Sequence, residues 1–302
     1  MSTVDIFQLP PPDVIDPLNY ETLLTAIQDR IIELTAPENR AAVRAVLTLE
    51  SEPLTMLTQA YAYRALLTRQ RVNDAARAVM PAYASGTDLD NLVASFNVQR
   101  LVIRPADPTT IPPTPAVMET DSDLRKRAPQ AFEGLSVAGP TAAYEFFSRS
   151  ADGRVADAKA ISPSPACVTV SILSREGDGS ADGALIDIVS TALNDENTRP
   201  VADRLTVQSA EIINYNITAI AYCKPGPEIE PIRQAAMQSL QDYINTRHRI
   251  GLSVWRSAIA SAISVEGVVH VEISEPPDDI IISKTQASYC AAPQLSVVTM
   301  NE

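Results

Sequence analysis

The fold class is decided by a stretch in the middle of the chain, residues 153–193, which reads GRVADAKAISPSPACVTVSILSREGDGSADGALIDIVSTAL. Two runs at 155–161 and 167–173 have the composition of strands, and the Ser-Pro-Ser-Pro segment 162–165 between them is typical of a hairpin connection. A glycine-containing turn follows, after which residues 182–195 carry apolar side chains at helical spacing. Two strands followed by a helix indicate an α+β protein built from βαβ-like units.

The chain after residue 195 continues this alternation of strands and helices. The predicted elements are one or two strands over 205–222, a long amphipathic helix over 228–247 that closes near Gly251, a shorter helix at 254–264, a strand at 267–274, and short extended pieces around 280–282 and 295–299. Together with the preceding stretch, this order hints at a split βαβ, ferredoxin-like lobe.

The first third of the chain predicts helices instead. They cover residues 21–35, 38–50 and 53–80, followed by a short helix after Gly86 with Thr87 as its expected N-cap. The helix over 53–80 contains the apolar residues Leu57, Tyr61 and Val72 on one face, and it is about 40 Å long at 1.5 Å per residue. That length exceeds the core of a small domain, so we expect part of this helix to project or to meet another chain.

Two segments are rich in proline. Residues 1–20 contain four prolines, which favours an extended arm with polyproline character. Five prolines between residues 105 and 115 exclude a helix or a central strand. We therefore expect a linker or surface loop at 104–120, which is a candidate hinge or spacer. Helices are expected again at 121–132, with Asp121 and Ser122 as capping candidates, and after Gly139-Pro140.

These patterns predict an elongated, multi-domain α+β protein with a helical N-terminal region followed by small βαβ or ferredoxin-like lobes. The predicted segments are an extended arm at 1–20, a helical domain at 21–103, a Pro-rich linker at 104–120, an α+β domain at 121–226 and a C-terminal α+β lobe at 227–302.

Composition excludes several classes of protein. The 302 residues include 24 Lys and Arg against 37 Asp and Glu, so the net charge is −13, whereas a nucleic-acid binder needs a basic face. No stretch of 18 residues is both apolar and uncharged, so no membrane span is expected, and the first residues lack the regions of a signal peptide. The three cysteines, Cys167, Cys223 and Cys290, are odd in number and far apart, which argues against a disulfide framework or a zinc site.

The residues that could carry chemistry form no recognisable active site. His248 and His270 lack the G-x-S-x-G motif or other partners of a catalytic triad, and no phosphate-binding glycine motif occurs. The loop from Asp178 to Gly183 resembles the start of a calcium loop, but its twelfth position is Val189 where a bidentate Glu is needed, so a polar turn and helix cap is favoured. We therefore predict no catalytic, metal-binding or cofactor-binding residues, and no enzyme.

The long predicted helix carries a local excess of positive charge. Its arginines are Arg64, Arg69, Arg71 and Arg77, and Asp74 is the one acidic residue among them. This pattern predicts either a solvated face, which is favoured, or a surface where an acidic partner docks, because arginine is enriched at interfaces.

Four blocks of sequence, in this order and spacing, are distributed over most of the chain, from about residue 75 to 275. They are residues 84–90 (ASGTDLD) with Arg100; residues 121–125 (DSDLR), continuing through Gly139-Pro140-Thr141 to Tyr144; residues 199–203 (RPVAD), running into a strand; and residues 251–253 (GLS) through 267–271 (GVVHV). The individual positions are Gly86, Leu89, Asp90, Arg100, Asp123, Arg125, Gly134, Gly139, Pro140, Tyr144, Arg199, Pro200 and Asp203. Together the blocks resemble the baseplate assembly protein J family of contractile-tailed phages.

The motif residues make physical sense as folding signals. Gly86 can adopt a positive φ beside a helix, and Leu89 is expected to point inward. Asp90 can favour the positive end of its helix or pair with Arg100. Gly139 and Pro140 begin a helix that Tyr144 anchors.

The resemblance implies a structural subunit of the baseplate wedge, assembled in the host cytoplasm and located in the virion tail. Wedge proteins of this kind form a six-fold ring around the tail hub and respond to host contact by releasing sheath contraction. The implied partners are a second copy of the chain, a smaller wedge protein, a sheath-initiating lysozyme-like wedge subunit and the hub, without nucleic acid or membrane.

Two alternatives of other classes stay open on the sequence. One is a tail-associated hydrolase of cell-wall polysaccharide, which would need paired acids in a cleft. The other is an assembly adaptor that binds one partner reversibly and is absent from the virion.

Overall fold

The computed structural model describes residues 12–136, 138–196, 198–224 and 229–300. It divides into two compact units between Ser95 and Phe96. Most of the predicted arm and the predicted boundary between residues 226 and 227 lie outside the described residues.

The first unit is helical, as the periodicity predicts. Its helices are α1 (Tyr20–Leu34), α2 (Arg40–Leu47), α3 (Pro53–Ala78) and α4 (Gly86–Ala94), with a 3-10 turn at Pro37–Asn39 before α2. Asn19 caps α1 by accepting a bond from the Thr22 amide. Pro53 begins α3 at a position where its missing N–H costs no helical bond.

The described end of the predicted arm is tied to α3. The side chain of Asn73, which is buried, accepts a bond from the backbone N–H of Asp16 at 3.1 Å. Its amide nitrogen also donates to the backbone carbonyl of Asp16 at 2.8 Å. The two bonds hold the chain before α1 alongside the long helix.

The predicted N-cap residues of two helices were wrong by one or two positions. Ser85 is the N-cap residue of α4, and Gly86 is its first helical residue with φ +53°, so Thr87 lies inside the helix. The next helix, α5 (Asp121–Arg127), is capped by the Thr120 hydroxyl, which accepts a bond from the Asp123 amide, and not by Asp121 or Ser122.

The second unit begins with a hairpin and short helical pieces. Strands β1 (Val102–Arg104) and β2 (Val117–Met118) pair antiparallel, so the Pro-rich segment is a surface loop closed at its base. After α5 the chain continues as a 3-10 stretch, Ala128–Leu135, where a longer helix was predicted. Pro129 explains the change, because it has no N–H to continue the α-helical bonding. Helix α6 (Thr141–Ala151) then follows Pro140.

The quoted central stretch forms the two predicted strands and the predicted helix, although the first strand extends to Ser164, into the predicted connection. Its elements are β3 (Val155–Ser164), β4 (Cys167–Ser174) and α7 (Gly183–Leu193), and β5 (Arg204–Ser209) follows. The sheet order is β3-β4-β5, with β3 antiparallel and β5 parallel to β4, so β4-α7-β5 is a βαβ unit. Its core includes Val170, Ile172, Leu185, Val189 and Tyr144 of α6.

The last part of the chain forms a second lobe. Its elements are β6 (Glu211–Tyr215), β7 (Thr218–Cys223), α8 (Ile229–Arg247), α9 (Arg256–Ile263), β8 (Val268–Glu275), β9 (Gln286–Cys290) and β10 (Gln294–Thr299). One sheet has the order β10-β7-β8, and β6 pairs with β9 in parallel. Helices α8 and α9 cover the first sheet with Leu240, Ile244, Ile259 and Ile263. The predicted α+β class is confirmed, with three-stranded sheets in both lobes.

The two lobes of the second unit share a small core. Leu173 from β4 packs with Ala210, Ile250 and Ala287. Strand β6, the first strand of the second lobe, directly follows β5 of the central sheet and pairs in parallel with β9, so this pair lies beside the shared core.

Candidate interaction surfaces

The long helix α3 leaves most of its large apolar side chains uncovered within the first unit. Its buried residues are small or polar: Thr55, Thr58, Ala62 and Asn73. Leu54 and Leu66 are partly buried, but its six other large apolar residues are 46% to 66% exposed: Met56, Leu57, Tyr61, Tyr63, Leu67 and Val72. Exposed apolar residues in this number on one helix point to an interaction surface, because large exposed apolar patches on folded proteins mark such sites.

An apolar groove runs between α1 and α3. It has a volume of about 640 Å³ and is lined by Leu23, Ala26, Ile27, Arg30, Ile31, Leu57, Thr58, Tyr61, Ala65 and Arg69. We call it the α1–α3 groove. Its volume lies in the range of roughly 300–1,000 Å³ that is typical of binding sites, and its arginines place positive charge beside an apolar surface.

The arginines that were predicted as a candidate interface are all exposed. Arg64, Arg69, Arg71 and Arg77 lie on α3. Arg77 forms an ion pair with Asp74 at 3.8 Å, and both side chains are about half exposed. Exposure fits both a solvated face and a docking surface, so the acidic partner stays a prediction.

A buried ion pair holds the start of the second unit. Arg127 donates to both carboxylate oxygens of Glu119, at 3.0 and 2.7 Å, and the two side chains are only 6% and 3% exposed. Arg127 also donates to the backbone carbonyl of Gln99 and to the Ser150 hydroxyl. A bidentate pair with these further bonds locks α5 against the segment before the hairpin and against α6.

Two of the motif residues belong to the same charged cluster. Arg100 donates to the Asp121 carboxylate and to the backbone carbonyl of Glu119, both at 2.6 Å. Arg100 therefore fixes the N-terminal end of α5 beside the hairpin.

Asp123, the second of these motif residues, connects α5 to both lobes. Its carboxylate accepts a bond from Arg175 at 2.6 Å and lies 3.6 Å from Arg249. Burial acts to raise the pKa of Asp123, but Arg175, with smaller contributions from Arg249 and Lys126, lowers it below its ordinary value. Arg249 also donates to the backbone carbonyl of Ala156. One carboxylate thus bridges three parts of the second unit.

Other motif residues meet in a second cluster, around α6. The hydroxyl of Tyr144 donates to the Asp203 carboxylate at 2.8 Å. Burial first, and then Asp203, raises the pKa of that tyrosine. Gly139 has φ +66°, and a Cβ there would lie 2.6 Å from the Pro200 side chain. The motif therefore packs the start of α6 against the turn before β5.

The remaining motif residues have local roles. Leu89 is buried in the first unit, as expected, and Asp90 lies in the same helix, α4. Arg125 lies in the last turn of α5. A Cβ at Gly134 would lie 2.9 Å from Phe146. Arg199 donates to the Asn194 side chain at 3.1 Å.

The two histidines have structural surroundings. Nδ1 of His248 lies 2.6 Å from the backbone carbonyl of Ser288, and the ring packs edge-on against Tyr289. His270 stacks on Tyr222 on the outer face of the C-terminal sheet. Neither arrangement brings a histidine together with an activated nucleophile.

The partial calcium motif is a turn and helix cap, as predicted. Asp182 is the N-cap residue of α7 and accepts a bond from the Leu185 amide at 2.7 Å. Asp178 accepts a bond from the Ser180 amide at 3.0 Å. In the described ranges, no three His, Cys, Asp or Glu side chains form a group that could hold a metal ion. None of the helices described there combines the length and the apolar character needed to cross a membrane.

Two segments of the chain match domains of a known family. Residues 50–107 match the Baseplate J-like N-terminal domain, and residues 136–209 match the Baseplate J-like central domain. The chain is also 55% identical over 290 residues to Baseplate protein J of Escherichia phage P2, with 96% of each sequence covered. The chain belongs to the baseplate J family. The predicted resemblance is therefore confirmed, and the protein is a structural component of the tail baseplate in the virion.

A solved assembly gives a more distant likeness. It is the cryo-EM structure of the anti-feeding prophage baseplate, with six-fold symmetry applied, and the TM-score is 0.42 at 12% identity. The likeness covers 60% of this chain and 45% of the other.

Sequence reasoning missed most of the charged cluster. Asp123 and Arg100 were predicted as motif positions, whereas Glu119, Arg175 and Arg249 were not. Their side chains meet only in the fold, since Arg175 is 52 residues from Asp123 in the sequence. The sequence did contain one indication of the cluster: Glu119 is an acidic residue immediately before Thr120, the N-cap residue of α5.

Proposed function

We propose that this baseplate J protein is the wedge subunit that assembles into a six-fold ring around the tail hub. In this role it pairs with a second copy of itself and with a smaller wedge protein, and contacts the lysozyme-like subunit that initiates the sheath. The ring is needed for tail assembly and for releasing sheath contraction.

The observation that carries this proposal is the uncovered apolar surface of α3. Exposed leucines and aromatic side chains cover several faces of a 26-residue helix. Aromatic residues and arginine are enriched at interfaces, and obligate interfaces are more apolar than the rest of a protein surface. Burial of this surface against other subunits therefore gives a direct physical reason for assembly.

A ring follows if one surface of each subunit binds a different surface of the next. Such heterologous contacts close when the rotation between neighbours divides a full turn. Release of contraction further requires two arrangements of similar free energy, with an external trigger favouring one of them. The second unit, with its lobes joined by the small core around Leu173 and by Asp123, is suited to transmit such a movement without deforming.

We also propose that the protein has no enzymatic role. The motif residues Asp123, Tyr144 and Asp203 bond to one another or to arginines of the fold, and this use of acidic groups is structural. Cell-wall hydrolysis would instead need two carboxyl groups facing each other across a substrate. A clearing assay on cell walls with the purified protein should give no activity, and measurable clearing would contradict this part of the proposal.

The ring proposal is tested with a phage in which the gene is deleted and supplied from a plasmid. Without the plasmid we expect no contractile tails with a closed baseplate, and mass spectrometry of complemented particles should detect the chain in purified tails. Normal, infectious tails lacking the protein would overturn the proposal and would support a non-virion adaptor.

A further inference from the structure

The Pro-rich loop between β1 and β2 forms a braced projection, which we call the finger (residues 105–116). Asp107 and Thr114 pair through two reciprocal backbone hydrogen bonds, each 2.9 Å long. Thr110 adds a side-chain bond to the Thr114 amide at 2.9 Å. The carboxylate of Asp107 accepts bonds from the amide and the hydroxyl of Thr109. The finger is thus held by its own bonds.

The tip of the finger is apolar and fully exposed. Ile111 is 99% exposed, and Pro112 and Pro113 follow it in exposed positions. At the base of the finger, Val102 and Met118 are also exposed, by 48% and 42%. Between Arg104 and Glu119 the sequence has one charged residue, Asp107. A rigid tip loses little conformational freedom on binding, which favours affinity.

We propose that the finger of one copy docks into the α1–α3 groove of a second copy of this chain, with Ile111 in the groove and Asp107 beside its arginines. This inference rests on the proposed function, because it assigns one of the contacts by which subunits would join. The chemistry of the two surfaces is complementary: an apolar tip with one acidic residue meets an apolar groove bordered by Arg69 and by Arg30, which also pairs with Glu33.

The tip of the finger is short enough for the groove. Ile111 and Asp107 are four residues apart, at most about 14 Å along an extended chain. The part of the groove between Leu57 and Arg69 on α3 extends about 18 Å at 1.5 Å per residue. An isoleucine and two prolines also fit readily within a groove of about 640 Å³.

The contact joins two different surfaces, so it is heterologous. One copy supplies its finger from the second unit, while the other supplies its groove from the first unit. Contacts of this type repeat around an axis and can close a ring. They also remove two exposed apolar surfaces from water in a single interaction.

The test uses a photo-crosslinking amino acid in place of Ile111, in tails assembled from a mixture of isotope-labelled and unlabelled chain. We expect crosslinks between differently labelled copies, on peptides from residues 23–31 or 57–69. The matched control is the same replacement at Val201, which is 100% exposed in the second unit and lies outside the finger. Crosslinks from position 111 within a single copy, to another baseplate protein, or to no protein would overturn the inference.

A charge exchange tests the same contact independently. Asp107→Arg and Arg69→Asp should each lower the crosslink yield about fivefold, as expected for a charge pair at the edge of an interface. The double variant should restore most of that yield. If the double variant instead combines the losses of crosslink yield of the two single variants, the pairing of Asp107 with Arg69 is contradicted.

These measurements separate the two proposals. If the chain is absent from purified tails, the proposed function fails. If the chain is present but its position 111 crosslinks elsewhere, only the finger-to-groove contact fails. Both positions used for crosslinking are fully exposed, so misfolding is not expected to limit either variant.

Discussion

The two units of this protein stabilise themselves in different ways. Of the twelve largest fully buried side chains in the described ranges, eleven lie in the second unit and Leu89 lies in the first. The second unit also contains the buried pair Arg127–Glu119 and the bridging Asp123. The first unit instead leaves the apolar surface of α3 and the α1–α3 groove open. We infer that contacts with other subunits complete the first unit, whereas the second unit depends more on its own buried core and ion pairs.

The largest expected effect comes from placing a charge on the uncovered surface of the first unit. Tyr61→Asp should lower tail assembly roughly 100-fold, because an unpaired charge would be buried at an interface. The free energy of unfolding of the free chain should change by less than about 0.5 kcal/mol, since Tyr61 is 62% exposed. Counting assembled tails by electron microscopy, with urea unfolding of the purified chain, measures both quantities.

The matched control for this change is Ile188→Asp on α7 of the second unit, where the side chain is 40% exposed. It should affect assembly much less than Tyr61→Asp. Normal assembly of the Tyr61→Asp variant would show that the apolar surface of α3 is not an interface.

The next largest effect is expected from breaking the buried ion pair of the second unit. Glu119→Gln leaves the Arg127 guanidinium buried without its counter-charge and should lower the free energy of unfolding by about 3–5 kcal/mol. The control is Glu33→Gln, which breaks the exposed Arg30–Glu33 pair. This variant should change the free energy of unfolding by less than about 0.5 kcal/mol. Equal effects of the two variants in urea unfolding would remove the contrast between the units.

A smaller effect is expected at the tight contact before α6. Gly139→Ala should lower the free energy of unfolding by about 2 kcal/mol, because the residue has φ +66° and its Cβ would lie 2.6 Å from Pro200. Gly183→Ala is the matched control: a Cβ there meets no atom within 4 Å, and its stability should be unchanged or slightly higher. Thermal unfolding of both variants decides the matter, and a stable Gly139→Ala protein would contradict the assigned packing.

The smallest effect is a change in pH dependence. Although burial acts to raise it, the pKa of Asp123 is lowered by Arg175 and Arg249, so the ionised group is favoured in the folded state. Its contribution is fully present above the ordinary pKa of about 3.9 and is lost as the pH falls through the lower folded value. Asp123→Asn should therefore be less stable at neutral pH and should lose less stability on acidification.

Urea unfolding at a series of pH values from about 6 to about 3 measures this difference. If the curves of Asp123→Asn and the unchanged protein run parallel, the bridging role of Asp123 in stability is wrong.

The sequence predicted those features that depend on neighbouring residues. The helices of the first unit, the β3–β4 hairpin and α7 were predicted because helical and strand periodicity is local. Strand β9 was missed, since Gln286–Cys290 mixes small, polar and aromatic residues without a clear apolar run. It becomes a strand through its parallel pairing with β6, about 75 residues earlier in the chain.

The candidate surfaces were predictable to a lesser degree. Length alone predicted that part of α3 would project or meet another chain, which stays a prediction. A helix with apolar residues on several faces gives no signal for which face packs within its own unit. The charged cluster could not be predicted, because Asp123 meets Arg175 and Arg249 through three-dimensional packing. The motif positions Gly139 and Tyr144 were recognised by resemblance, and their shared contacts with the turn at Pro200 and Asp203 emerged only from the fold.

If other subunits of the baseplate complete the first unit, α3 must become buried when tails assemble. Hydrogen exchange measured on the free chain and on purified tails tests it most directly. We predict that amides of α3 become strongly protected in tails, while those of β3 and β4 are protected alike in both samples. Equal protection of α3 in the free chain and in tails would contradict the claim.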